Sequence, residues 1–97
     1  MESHRPEVDR AVRKPALTST QVRVLARVAS GFLQKQVAAE EYISSAEVAR
    51  VTREVKDRLG AENLVQAALI AYSLGYISLP DEEGIVHPRA NLDRDRQ

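Results

Sequence analysis

At ninety-seven residues the chain holds one domain at most. Its 43 % hydrophobic content suffices for a small core, built from Val, Leu, Ile and Ala because only one Phe and no Trp are present. The lack of cysteine excludes disulfides, thiolate zinc sites and cysteine nucleophiles, and a formal net charge of zero runs against the basic balance usual in strong nucleic-acid binders.

Residues 1–16 are polar, contain Pro6 and Pro15 and show no sustained period, which predicts a flexible arm. Its Arg5, Arg10, Arg13 and Lys14 are placed either to lie along a phosphate backbone or simply to keep the leader in solution. No signal-peptide apolar stretch follows Met1, so a cytoplasmic protein is expected. Charge is unevenly spread: residues 17–77 carry seven basic and six acidic groups, and residues 78–97 carry three and five. The acidity therefore sits in the tail, and the body is marginally positive.

Three segments between 17 and 77 open on a helix-capping pattern and close on glycine. They are Thr18-Ser19-Thr20-Gln21 to Gly31, Ser44-Ser45-Ala46-Glu47 to Gly60, and Asn63-Leu64-Val65-Gln66 to Gly75. At each start a short polar side chain can accept from an N–H of the first turn. The Gln or Glu three residues later is expected to reach back to the cap's own N–H. The first helix, about 19–30, places Val24, Leu25, Val28 and Ala29 on one side. A second fits Leu33 to Glu40, with Val37 and Ala38 as its apolar content. The third, about 45–59, carries an inward stripe of Val48, Val55 and Leu59 flanked by Val51 and Thr52.

The fourth helix, about 64–74, is apolar on two sides. Ala67, Ile70, Ala71 and Leu74 form one face, and Val65, Ala68, Leu69, Tyr72 and Tyr76 form the other. A small domain rarely covers both faces, so the second is expected to meet another subunit, unless the arm or tail folds over it. The uncharged run from Asn63 to Pro80 is too polar for a membrane span. Residues 78–97, with Pro80, Pro88 and the closing Asp93-Arg94-Asp95-Arg96-Gln97, are expected to be a mobile tail. Asp81-Glu82-Glu83 lacks an oxygen-ligand loop pattern. His4 and His87 fall in the two ends expected to be flexible, where a general base has no rigid support. No enzyme activity, cofactor or metal is expected.

Four short helices with a tight turn before the third follow the plan of a helix-turn-helix DNA reader. With the valine stripe inward, Ala46, Arg50, Arg53 and Asp57 point furthest out on the third helix. Arg50 and Arg53 are candidates for base edges, with Ala46 against a thymine methyl. The same pattern also fits Arg50–Glu54 and Arg53–Asp57 as ordinary i,i+4 pairs on a solvated face. Lys35, Thr52, Lys56 and the arm are candidates for phosphate contacts, and Ala49 sits at the shoulder of the stripe.

Residues 17–77 resemble the LuxR/GerE-type helix-turn-helix domain without a gap. The resemblance is carried by Leu17-Thr18, Val24-Leu25 and Gly31, by Lys35-Gln36-Val37-Ala38, by Ile43-Ser44, by Leu59-Gly60, and by Asn63 to Gly75-Tyr76-Ile77. It implies an all-α, four-helix domain at 17–77, between an arm at 1–16 and a tail at 78–97. It further implies a dimeric transcription regulator whose third helix enters the major groove of double-stranded DNA and whose fourth helix dimerises. Five positions depart from the pattern. The usual Thr-Val-Lys-x-His reads Glu47-Val48-Ala49-Arg50-Val51, losing a threonine and a lysine that typically bind DNA. An arginine expected near the start of the fourth helix is Leu64. A core leucine is replaced by Glu41, with Tyr42 expected to fill the gap. Glu47 is expected to fold back onto the Ser44 cap, which takes its charge out of the groove. Two functions follow: a homodimeric DNA-binding regulator, or a protein-interaction module that binds another regulator through its apolar fourth helix.

Overall fold

The computed structural model describes residues 16–89. Among them are four helices: α1 (Ser19–Ala29), α2 (Gln34–Glu41), α3 (Ser45–Leu59) and α4 (Leu64–Ser73). The only extended pairing among the described residues is a single antiparallel bridge between Ile77 and Pro88. The all-α helix-turn-helix plan is therefore present, and no described helix is long and apolar enough to cross a membrane.

Helix α1 starts on the expected reciprocal cap. Thr18 Oγ1 accepts from Gln21 N–H at 3.0 Å, and Gln21 Oε1 accepts from Thr18 N–H at 2.9 Å. Its buried surface is wider than the sequence suggests: Val22 and Ala26 are buried together with Val24 and Leu25, whereas Ala29 is exposed. Helices α2, α3 and α4 all pack on α1. Helix α3 buries Val48, Val51, Val55 and Leu59 as one stripe and ends on Gly60, whose φ of 68° a side chain would resist. Helix α4 approaches through Ala67 and Ala71, both fully buried. Small residues at these two positions let its backbone lie close to the rest of the core.

The link between α2 and α3 departs from expectation at two residues. Tyr42 does not fill the gap left by the missing core leucine. It caps α2 in the left-handed conformation, at φ 61°, and its side chain is 94 % exposed. Glu41 occupies the gap instead, with only 6 % of its side chain exposed. Its carboxylate is held by two arginines of α1: Arg23 Nε donates at 3.1 Å and Arg27 Nε at 3.2 Å. Arg27 also reaches Glu40, at 2.9 Å. A charged clamp thus joins α1 to α2 where apolar packing was expected.

The segment after α4 is a second departure. Residues 78–89, expected to be mobile, turn back on α1. Ser78 N–H donates to the His87 carbonyl and Arg89 N–H to that of Tyr76, both at 2.9 Å. The turn is made by Asp81, whose Oδ1 accepts from Glu83 N–H at 2.8 Å and from Ile85 N–H at 2.9 Å. His87 Nε2 lies 3.0 Å from the other carboxylate oxygen, so this histidine belongs to a folded element. Those bonds hold the Asp81 carboxyl below the usual carboxylate range, with the His87 contact the largest cause. Val86 enters the core, and its N–H donates to Ser30 Oγ at 2.7 Å. The remaining tail, 90–97, and the arm up to residue 15 lie outside the described residues.

Two stability predictions follow from the α2–α3 region. Glu41→Ala leaves Arg23 only its Thr20 bond and unpairs one edge of Arg27, and should cost about 1–3 kcal/mol in denaturant unfolding. Glu41→Leu restores an apolar side chain to a nearly enclosed site and should stay within about 1 kcal/mol of wild type or exceed it. A Glu41→Leu protein weaker than Glu41→Ala would show that the clamp, not the volume, holds α2. Tyr42→Gly removes the steric cost of a bulky left-handed residue and should raise stability by up to about 1 kcal/mol.

Candidate nucleic-acid interface

Helix α3 presents its outer stripe as its period requires. Ala46, Arg50, Arg53 and Asp57 are exposed, and Ala49, Thr52 and Lys56 are half-buried on the shoulder nearer α2. The start of α2 is tied to the start of α3, because Gln34 Nε2 donates to the Ser45 carbonyl at 2.8 Å. That bond keeps exposed Lys35, in the first turn of α2, in a fixed relation to the first turn of α3.

The side chains on this stripe are not equally available. Arg50 is held on both sides. Its Nε donates to Glu47 Oε1 at 3.0 Å, its Nη2 contacts Glu47 Oε2, and its Nη1 contacts Glu54 Oε2. The i,i+4 pair with Glu54 weighed from the sequence is thus formed, together with an i,i+3 pair. Glu47 does not fold back onto the Ser44 cap. Ser44 Oγ accepts from Glu47 N–H at 3.0 Å, while the carboxylate turns to Arg50. The guanidinium offers two bonds from a charged donor where the cap's N–H offers one from a neutral donor, so Arg50 wins. The Arg50 hydrogen bond holds the Glu47 carboxyl below its usual range. The Glu47 bond, with the charges of Glu47 and Glu54 behind it, raises the arginine above its own.

Arg53 forms no ion pair among the described residues; the alternative pairing with Asp57 is absent there. Arg53 and Lys56 border a groove of about 320 Å³ together with Gln34, Ala49 and Thr52. Glu54, Asp57 and Glu62 line a second groove together with Arg50, Arg53 and Lys56, so acidic and basic side chains interleave along the outer surface of α3 and the turn that follows it. Thr52 fits a phosphate contact poorly: its single O–H donates to the Val48 carbonyl at 2.9 Å, and a phosphate oxygen needs a donor.

The second face of α4 is open. Val65 is 71 % and Leu69 60 % exposed, and Tyr72 stands beside them, while Ala68 is half-buried against the core. Tyr76 does not share this face: it is 5 % exposed and belongs to the chain's own core. The helix ends at Ser73, and the turn through Leu74 and Gly75 brings Tyr76 inward. The returning segment 78–89, a hairpin closed by the Ile77–Pro88 bridge, supplies a wall on one side, with Leu79 and Pro80 lining an apolar groove of about 320 Å³ against Val65, Leu69 and Tyr72. Among the described residues, the tail segment 78–89 borders this face and leaves Val65, Leu69 and Tyr72 exposed.

No curated protein matches the chain. A family model described as bacterial regulatory proteins, luxR family (GerE), matches residues 15–71. The match takes in α1, α2, α3 and most of α4, more than half of the 97 residues, and stops before the hairpin. With the helix order, the α2–α3 turn and the outward stripe of α3 in place, the chain belongs to the LuxR family of bacterial regulatory proteins.

Proposed function

We propose that the protein is a DNA-binding transcriptional regulator that acts in the cytoplasm as a homodimer, with α3 in the major groove. The observation that carries this reading is the outer stripe of α3, which projects Ala46, Arg50 and Arg53 away from a rigid α2–α3 pair in a LuxR-family domain. Arg50 and Arg53 act on base edges and Ala46 sits against a thymine methyl. Lys35 and Lys56 act on phosphates, with the start of α2 adding its dipole at Lys35. Ala49 lies close to the backbone without a charge of its own. The open face of α4, with Val65, Leu69 and Tyr72, pairs with its own copy across a two-fold axis.

The second reading is a protein-interaction module that binds another regulator through the same face. It is favoured by the two carboxylates on Arg50 and by the apolar groove between α4 and the hairpin. Salt separates the two readings. Phosphate contacts release counterions and weaken steeply as salt rises, whereas an apolar protein contact barely responds.

Arg50→Ala combined with Arg53→Ala should abolish sequence preference while leaving helicity intact, at a cost of roughly 1–3 kcal/mol per lost base contact. Fluorescence anisotropy on a duplex selected by the wild-type protein measures this, with circular dichroism as the folding control. A double variant that binds the selected duplex as well as wild type does would remove α3 from the groove. Leu69→Glu places two copies of a charge in one two-fold interface and should give a folded monomer in light scattering. A wild-type protein that is monomeric at tens of micromolar would end the homodimer reading.

A further inference from the structure

The arrangement around Arg50 has more order than a solvated ion pair requires. Arginine has five N–H groups. Three are engaged: Nε and one Nη2 hydrogen on Glu47, and one Nη1 hydrogen on Glu54. One hydrogen on each terminal nitrogen remains for a further acceptor while Glu47 grips the side of the guanidinium. Glu54 has a second partner in the buried Gln21, whose Nε2 donates to Glu54 Oε1 at 3.4 Å. Arg50 can therefore leave Glu54 without stranding that carboxylate, while Glu47 still fixes its direction.

Glu47 itself lies in the first turn of α3, one residue from the exposed Ala46, and is partly open to solvent. Its two bonds to Arg50 occupy half of a carboxylate's acceptor capacity, which leaves sites for a further donor. In the major groove guanine presents two acceptors, N7 and O6, and cytosine presents one donor, its N4 amino group. A pre-oriented arginine edge beside an ionised carboxylate matches that pattern. Phosphate, which offers only acceptors, is repelled by the same carboxylate.

We propose that Glu47 and Arg50 form one composite base reader. Arg50 gives its open Nη1–H and Nη2–H to the N7 and O6 of a guanine, and Glu47 accepts from the N4 amino group of an adjacent cytosine. This inference rests on the DNA-binding reading and deepens it by naming the bases read. The carboxylate that departs from the family pattern at 47 is then a reader of cytosine.

The test selects bound sequences from a random duplex pool, in parallel, with the full wild-type chain and with Glu47→Gln. Wild type should enrich a site holding guanine next to cytosine in each half. Glutamine pairs with adenine through N6 and N7, so Glu47→Gln should keep the guanine and exchange the cytosine for adenine. Replacing that guanine by 7-deazaguanine removes one acceptor. It should weaken wild-type binding roughly 5- to 150-fold, on the scale of a bidentate base contact, and leave Arg50→Ala binding unmoved. Thermal melts of both variants check that each is folded. If Glu47→Gln enriches the wild-type site, or 7-deazaguanine leaves wild-type binding intact, the composite reader is wrong and DNA binding stands. If wild type enriches nothing, both the reader and the DNA-binding reading fail.

Discussion

Helix α1 cannot lie at the surface, because Val22, Val24, Leu25 and Ala26 spread apolar contact over more than half of its circumference at 100° per residue. The rest of the chain wraps it. Helices α2, α3 and α4 each pack against it, and Val86 of the hairpin enters the core from beside Ser30. The wrapping fixes what stays outside. Helix α3 spends one stripe on this core and leaves the opposite stripe to project. Helix α4 comes in on Ala67 and Ala71, so its larger side chains on the far side, Val65, Leu69 and Tyr72, remain uncovered. Both candidate surfaces are consequences of how α1 is buried.

Charge does structural work here that apolar side chains could have done. The Glu41 carboxylate sits nearly enclosed between Arg23 and Arg27, and a carboxylate so placed is tolerable only because both partners reach it. A leucine there would tie α2 to α1 without direction. The clamp adds orientation, because two guanidinium edges meet one planar carboxylate. Orientation of α2 matters for α3, since Gln34 connects their first turns. The chain's formal neutrality is therefore a poor guide to its surface. Some acidic groups, such as Glu41, serve the interior, and others, Glu47 and Glu54, are taken up by Arg50, while Arg53 and Lys56 border a groove with Gln34, Ala49 and Thr52.

The parts legible in the sequence were those set by local bonds. Thr18, Ser44 and Asn63 each cap the helix expected of them, because a short acceptor three residues before an N–H needs nothing from elsewhere in the chain. The valine stripe of α3 was legible for the same reason. What failed depended on competition or distance. Glu47 had two local options, and the charged one won. Gln66 accepts from Glu62 N–H at 2.6 Å, one residue before the cap it was expected to serve. Glu41 was read as a gap because its partners lie 14 and 18 residues away on another helix. The hairpin was read as a tail because its prolines and acidic groups look like linker. The signal that it folds lay in Asp81, Gly84 and the Ile85-Val86 pair: an aspartate turn followed by an apolar plug. In the candidate site, the outward direction of Arg50 and Arg53 was legible from the helical period. The difference between a gripped Arg50 and an Arg53 with no ion pair among the described residues was not.

The two surfaces bear on each other through energetics. On the proposed reading, the phosphate contacts among the described residues of one subunit are Lys35 and Lys56, with Arg53 beside them. Each neutralised phosphate contributes a counterion-release term, and so small a set by itself adds little non-specific affinity. Base reading would then carry a large share of the binding of this part, and one short helix reads only a few bases. A second subunit held by α4 would make the second half-site an intramolecular event, so that modest half-site affinities combine. On the proposed reading, the apolar face of α4 is therefore as much a part of DNA recognition as Arg50 is. A weakly cationic reader gains selectivity by this route, because without a matched second half-site the phosphate contacts alone hold it poorly. On the same reading, the threonine and lysine missing from the family pattern could be lost at a tolerable cost: sequence-independent affinity would fall, while the proposed base contacts, which discriminate between sites, would remain.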